Sequence, residues 1–141
     1  MNKLSFLVLP MLLALACTPP NMVKNTNRGE LHVTVDGTDT PAALNVSFDV
    51  GSVAVGSTRA ITVVATNVGA DPMDVIGVSL GSVGNGSWFV RDVNGKLAPG
   101  ASLTSMVTFA PIGAGAQATQ VTFSHDADAA FPSVQLTGTG T

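Results

Sequence analysis

Few side chains in this sequence can move protons or attack a carbonyl, and only His125-Asp126-Ala127-Asp128 sets an imidazole among carboxylates. A hydrolytic site there would need a nucleophile held against His125 and a carboxylate orienting its ring. Neighbouring residues of a strand point to opposite faces, so His125 and Asp126 should separate across a sheet. The tetrad is therefore expected to be a polar loop after a strand over residues 121–124. Asp36, Asp39, Asp71 and Asp74 are carboxylates that loops could gather on calcium, a hard cation that takes oxygen ligands. They lack the Asp-x-Asp-x-Asp-Gly spacing of a calcium loop and are expected to be solvated turn residues, with no metal and no cofactor bound. His32, on the polar side of its strand, is expected at the surface.

Trp88 is the sole tryptophan. Trp88 and Phe89 fall on opposite parities of one short strand, and Trp88 is a candidate anchor for a partner unless it packs under a loop. Asn45-Val46-Ser47 and Asn85-Gly86-Ser87 match glycosylation acceptors, which the export route inferred below would not use.

Cys17 carries the most specific chemistry. Lys3 gives a basic start, residues 4–16 form an apolar run of 13 residues, and Ala14-Leu15-Ala16 is a small-residue approach to the only cysteine. Together they read as a secretory signal. The run is shorter than the ~20 residues a membrane-spanning helix needs, and it holds Pro10. The segment resembles the bacterial lipobox, in which a diacylglyceryl thioether forms on Cys before cleavage in front of it; Cys17 would then be the first residue of the mature protein. The alternative is an ordinary leader cleaved at a nearby Ala, with Cys17 incidental. No cysteine follows position 17, so this thiol has no disulfide partner in its own chain, and lipid attachment explains both its presence and its isolation. Acyl chains contribute about 0.8 kcal/mol per buried methylene, so several chains on one cysteine anchor a protein durably. Thr18, where inner-membrane lipoproteins carry Asp, points by the same resemblance to the outer membrane.

The elements that carry these residues follow from composition and period. Of 141 residues, 45% are hydrophobic and 11% charged, which bounds the chain to one modest globular unit and excludes a multi-domain enzyme. The net charge of −3 without any basic run excludes electrostatic binding of nucleic acid. Residues 18–29, with Pro19-Pro20 and no apolar period, are expected to form a flexible stalk reaching at most roughly 40 Å. Leu31, Val33 and Val35 alternate with His32 and Thr34 as an extra edge strand, ended by turn chemistry at Asp36-Gly37.

From Leu44 onward seven strands are expected: around Leu44 to Val50, Ile61 to Ala65, Met73 to Leu80, Phe89, Leu103 to Phe109, Val121 to Phe123, and Val134 to Leu136. Val64 makes the second of these apolar on both sides, which suggests a central strand. Parity switches beside Gly77, the sign of a bulge or kink. Asn67 and Gly69 are expected to reverse the chain with positive φ, Pro99-Gly100 to form a turn, and the Thr-Gly-Thr-Gly-Thr ending to fray. Seven short alternating strands specify a two-sheet sandwich.

Several separate motifs now recur in order. The segment from Phe48 to Val55, then Thr66-Asn67-Val68-Gly69, Trp88-Phe89-Val90, Leu97-Ala98-Pro99-Gly100, Phe109-Ala110-Pro111 and Leu136-Thr137-Gly138-Thr139-Gly140 resemble the Hydin-like or ASH-type immunoglobulin-like domains. The bacterial members are called choice-of-anchor D modules. The resemblance covers about residues 44–140 and implies an all-β, seven-stranded immunoglobulin-like β-sandwich after a signal peptide and a flexible tether. The organisation expected is a signal peptide over 1–16, the lipidated Cys17 with tether and extra edge strand over 17–43, and the sandwich over 44–141, with no catalytic domain beyond Thr141.

Two function classes follow. One is a non-enzymatic envelope lipoprotein whose module serves protein interaction, adhesion or spacing, anchored in the membrane and meeting a protein partner by strand addition. The edges expected for this lie at Val134, Gln135 and Leu136, or at Leu31 to Val35. The other is a small hydrolase or carbohydrate-binding lipoprotein using the loops at one end of the sandwich, for which only Trp88 offers a large aromatic platform.

Overall fold

A computed structural model describes residues 28–40, 46–81 and 87–141. The leader, Cys17, the tether up to residue 27, Leu44 and the acceptors Asn45 and Asn85 lie outside the described residues. Ten strands and no helix are described: β1 (Leu31–Val35), β2 (Thr38–Thr40), β3 (Val46–Val53), β4 (Arg59–Asn67), β5 (Met73–Leu80), β6 (Trp88–Val90), β7 (Gly95–Leu97), β8 (Ser102–Phe109), β9 (Gly115–His125) and β10 (Ser133–Gly140). They form two five-stranded sheets, ordered β2-β1-β4-β8-β6 and β3-β10-β9-β5-β7. The seven expected strands are β3, β4, β5, β6, β8, β9 and β10. The short β2 and β7, three residues each, carry too little alternation to announce themselves.

Period-two patterning decides which side chains meet. Val33 and Val35 from β1, Ile61, Val63 and Ala65 from β4, and Val107 and Phe109 from β8 are buried on the first sheet. Met73 and Val75 from β5, Val121 and Phe123 from β9, and Val134 and Leu136 from β10 are buried on the second. These belong to one hydrophobic cluster, so the two sheets close on a single core. β4 lies in the middle of its sheet with Val64 half-buried on the outer side, as its two-sided apolar pattern implies. The register of β5 on β9 shifts between Val75 and Gly77, the bulge expected there, and it turns Ile76 outward while returning Val78 to the core.

β1 is not an edge. Asp36 and Gly37, with φ of 47° and 74°, form a two-residue hairpin turn that folds β2 onto its free side. Its other side pairs with β4 from Leu31↔Asn67 to Val35↔Val63. Asp36 fastens the turn to β4: its Oδ1 accepts from the Thr62 N–H at 2.7 Å, and its own N–H donates to the Thr62 carbonyl at 2.8 Å. At the opposite side of the module, Pro99 and Gly100 form the expected turn, closed by the Ala101 N–H on the Ala98 carbonyl at 2.9 Å, with Gly100 at φ 81°.

The Thr-Gly ending does not fray. β10 runs to Gly140, and the Thr141 N–H donates to the Val53 carbonyl at 3.0 Å. Its glycines face inward because nothing larger fits. A Cβ on Gly138 would lie 2.7 Å from the Phe109 ring, and one on Gly140 would lie 2.2 Å from the Gly113 carbonyl oxygen. The threonines alternate outward.

Candidate functional site

β9 ends at His125, whose parity with Val121 and Phe123 carries the ring into the interior, where it is 3% exposed. Its Nδ1 accepts from the Ala127 N–H at 3.2 Å, which places the ring proton on Nε2. The imidazole meets Phe131 edge to face at 5.0 Å, and Nε2 has no hydrogen-bond partner. Asp126 faces out, as the strand geometry requires, and its Oδ1 accepts from the Asp74 N–H at 2.8 Å. Its own N–H donates to the Asp74 carbonyl at 3.2 Å. The two side chains are therefore parted, and each fixes backbone of the 126–132 loop or of β5.

Of the four turn aspartates, Asp36 and Asp71 are likewise engaged with backbone. Asp36 holds Thr62, and the Arg59 Nη2 lies 4.0 Å from its Oδ2. Asp71 accepts from the Arg28 N–H at 3.1 Å, with the Arg28 Nε at 3.6 Å. Asp36 and Asp71 sit on different segments, at the β1–β2 turn and the β4–β5 loop, so the four aspartates do not gather. Among the described residues no three His, Cys, Asp or Glu side chains form a group able to hold a metal ion.

The aromatic pair is reversed relative to expectation. Trp88 is 4% exposed and stacks on Phe109 with ring centroids 4.3 Å apart, whereas Phe89 is 58% exposed. The register explains it: Trp88 pairs with Phe109 across β6 and β8, paired residues share a face, and Phe109 is a core residue. Trp88 cannot anchor a partner from there.

The strand-addition edge is also corrected. β10 runs between β3, parallel to it from Val134↔Val46, and β9, antiparallel to it from Ser133↔Thr122. Val134 and Leu136 are core residues and Gln135 points outward from a strand already paired on both sides. The hydrophobic alternation of residues 134–136 marks a buried strand but says nothing about its neighbours; the parallel pairing with β3 has no local sequence signal. The sheet edges among the described residues are β2, β6 and β7, each of three residues, and β3. β3 is interrupted where its register on β10 shifts, Gly51 has φ 85°, and the Arg59 guanidinium donates to the Val50 carbonyl. Short edges and bulges of this kind discourage pairing with other chains.

Asn67 does not reverse the chain; it has a structural role instead. Asn67 is fully buried at the end of β4 and has no positive φ. Its Nδ2 donates to the carbonyls of Asp71 at 2.9 Å and Leu97 at 3.1 Å, and its Oδ1 accepts from the N–H groups of Gly69 at 3.0 Å and Glu30 at 3.3 Å. Its backbone joins the β7–β8 turn through Ala101 and Gly100 at 2.9 and 2.7 Å. Asn67 thus ties the entry to β1, the β4–β5 loop and β7 together at one end of the sandwich.

No protein-family model matches the chain, and no curated protein matches it. Among solved structures it is similar to the ASH/PapD-like domain of human CEP192 (PapD-like domain 7), at 17% identity and a TM-score of 0.57, covering 100% of this chain and 97% of that one. It is similar also to the CARDB domain of PF1109 from Pyrococcus furiosus, at 14% identity and a TM-score of 0.55, covering 82% and 98% of the two chains. The secreted serine protease VesC from Vibrio cholerae matches over 65% of this chain at 18% identity and a TM-score of 0.52, but over only 21% of the protease. The chain therefore has the immunoglobulin-like β-sandwich fold of ASH/PapD-type domains.

Proposed function

We propose that this chain is a cell-envelope lipoprotein, held in the bilayer by acyl chains on Cys17, whose sandwich works by surface contact or as a spacer and makes or breaks no covalent bond. The observation that carries the non-enzymatic reading is the use to which the reactive groups are put. The His125 imidazole, Asp36, Asp71 and Asp126 each hold a backbone N–H of a neighbouring segment. A general base in that position is already serving as a loop clamp, and it sits under Phe131. The anchor reading rests on the leader ending in Ala16 before a lone cysteine. A polar stretch with Pro19-Pro20 then follows in sequence, and the described chain enters the fold at Arg28–Glu30, beside Asn67 and Asp71.

The test is an activity screen of the purified protein, with and without divalent metal, against ester, peptide and glycoside substrates. No turnover is expected. Turnover abolished by His125→Ala in a variant that keeps its thermal unfolding midpoint would overturn the reading.

A further inference from the structure

Among the described residues His125 is the one buried side chain that carries an ionisable group. Its Nδ1 accepts from the Ala127 N–H, and its Nε2–H is buried without an acceptor. A second proton has only Nδ1 to go to, and it turns that acceptor into a donor facing the Ala127 N–H. The imidazolium then holds its charge in the interior with neither nitrogen bonded, which is costly for a buried ion. The charged groups on the elements around it do not offset that cost. Asp126 and Asp128 on the loop, Asp74 on β5, Lys96 on β7 and Glu30 at the chain entry are exposed, and Asp71 pairs with Arg28. β8, β10 and β9 up to Ser124 carry no charged side chain, and Val75 is the residue across from His125 on β5. The loop that covers the ring is held at its two ends. Asp126 is bonded to Asp74 through both its N–H and its Oδ1, and the Phe123 N–H donates to the Pro132 carbonyl at 3.3 Å. Between these ends the ties described are the Ala127 N–H on Nδ1 and the half-exposed Phe131 ring on the imidazole.

We propose that His125 is an acid-sensitive latch: the neutral imidazole keeps the 126–132 loop closed, and the imidazolium releases it. Release lifts Phe131 from the ring, brings both ring nitrogens to water and lets the Ala127 N–H bond to water instead of Nδ1. Ala127, buried in the closed loop, comes out with it. The open loop holds one proton more than the closed loop, so falling pH favours opening and rising pH favours closure. A histidine ring in water takes its second proton near pH 6.5. Opening coupled to such a ring grows about tenfold between about pH 7.5 and about pH 5.5, a range in which exposed carboxylates stay ionised. The latch belongs to the sandwich alone and needs neither the anchor nor a partner.

The test is amide hydrogen exchange of the full chain followed by NMR at about pH 7.5 and about pH 5.5, each rate divided by that of an unstructured amide at the same pH. Protection of the Ala127 amide should fall about tenfold at the lower pH, while the Ile61 and Val63 amides of β4 keep theirs. His125→Asn retains an acceptor, since an Asn side chain bonds the N–H two residues on, but has no titrating ring. Its Ala127 protection should differ by less than about twofold between the two pH values. Phe131→Ala leaves His125 in place and thins its cover, so it should lower protection at both pH values and keep a ratio of about tenfold. Equal protection of Ala127 at both pH values in the unsubstituted chain would overturn the latch, as would a ratio that survives His125→Asn or vanishes in Phe131→Ala. Parallel loss of protection at Ile61 and Val63 would mean that acid unfolds the domain as a whole, and would overturn it too.

Discussion

Replacing Asn67 with alanine removes a knot of four side-chain hydrogen bonds at one end of the sandwich. Each such bond contributes about 1 kcal/mol net, and a polar group left buried without a partner costs about 1–3 kcal/mol. The four partners do not lose equally. The Leu97 carbonyl lies in the interior and stays dry, while Glu30, Gly69 and Asp71 lie at the rim where water reaches them. The expected loss is therefore about 3 kcal/mol, below the sum of four orphaned groups, out of a total of about 5–15 kcal/mol for a domain of this kind. Equilibrium urea unfolding followed by Trp88 fluorescence reads it as a midpoint lowered by about 1–2 M at unchanged slope. Asn67→Asp retains the acceptor for Glu30 and Gly69 but turns a carboxylate oxygen toward two carbonyls, and should destabilise at least as much. A loss below about 1 kcal/mol in both variants would refute the assignment of Asn67 as a structural tie.

Trp88→Ala should cost about 3–5 kcal/mol by emptying the space against Phe109, whereas Phe89→Ala should change stability by less than about 0.5 kcal/mol; comparable values in thermal unfolding would contradict the parity found here. Gly140→Ala places a methyl group against backbone oxygen and should cost at least about 2 kcal/mol, and a neutral result would mean that the ending is as loose as its composition suggests. Gln135→Pro breaks pairing within a strand flanked on both sides, so the expected outcome is loss of the fold, seen as lost strand signal in circular dichroism; a folded variant would show that β10 is a free edge after all.

Much of the architecture is legible from period two. The alternation in residues 31–35, 61–65, 121–123 and 134–136 names the strands and their inward faces, and Gly77 marks its bulge because the apolar parity changes there. Alternation is a property of one strand, however, and says nothing about which strand lies beside it. That is why β1 and β10 read as edges although each is paired on both sides. The parity of β6 was open for a related reason: in a three-residue strand with Trp, Phe and Val in succession, only the register on Phe109 chooses the inward ring. Asn67 resembles a turn residue in sequence because Asn suits both positive φ and buried bonding to backbone, and the four groups that decide between them come from distant segments. The Thr-Gly ending misleads in the same way, since the small residues are required by the Phe109 ring and the Gly113 carbonyl, both supplied from elsewhere in the chain. The candidate site was legible at the level of chemistry: the separation of His125 from Asp126 follows from strand geometry, while the burial of His125 depends on Phe131 folding back over it.

The reading of a bilayer-held contact module is tested most directly by the intact mass of the protein extracted from the membrane fraction of cells that express it. The expected species begins at Cys17 and carries the added mass of a diacylglyceryl thioether. A soluble, unmodified polypeptide beginning elsewhere would contradict the account.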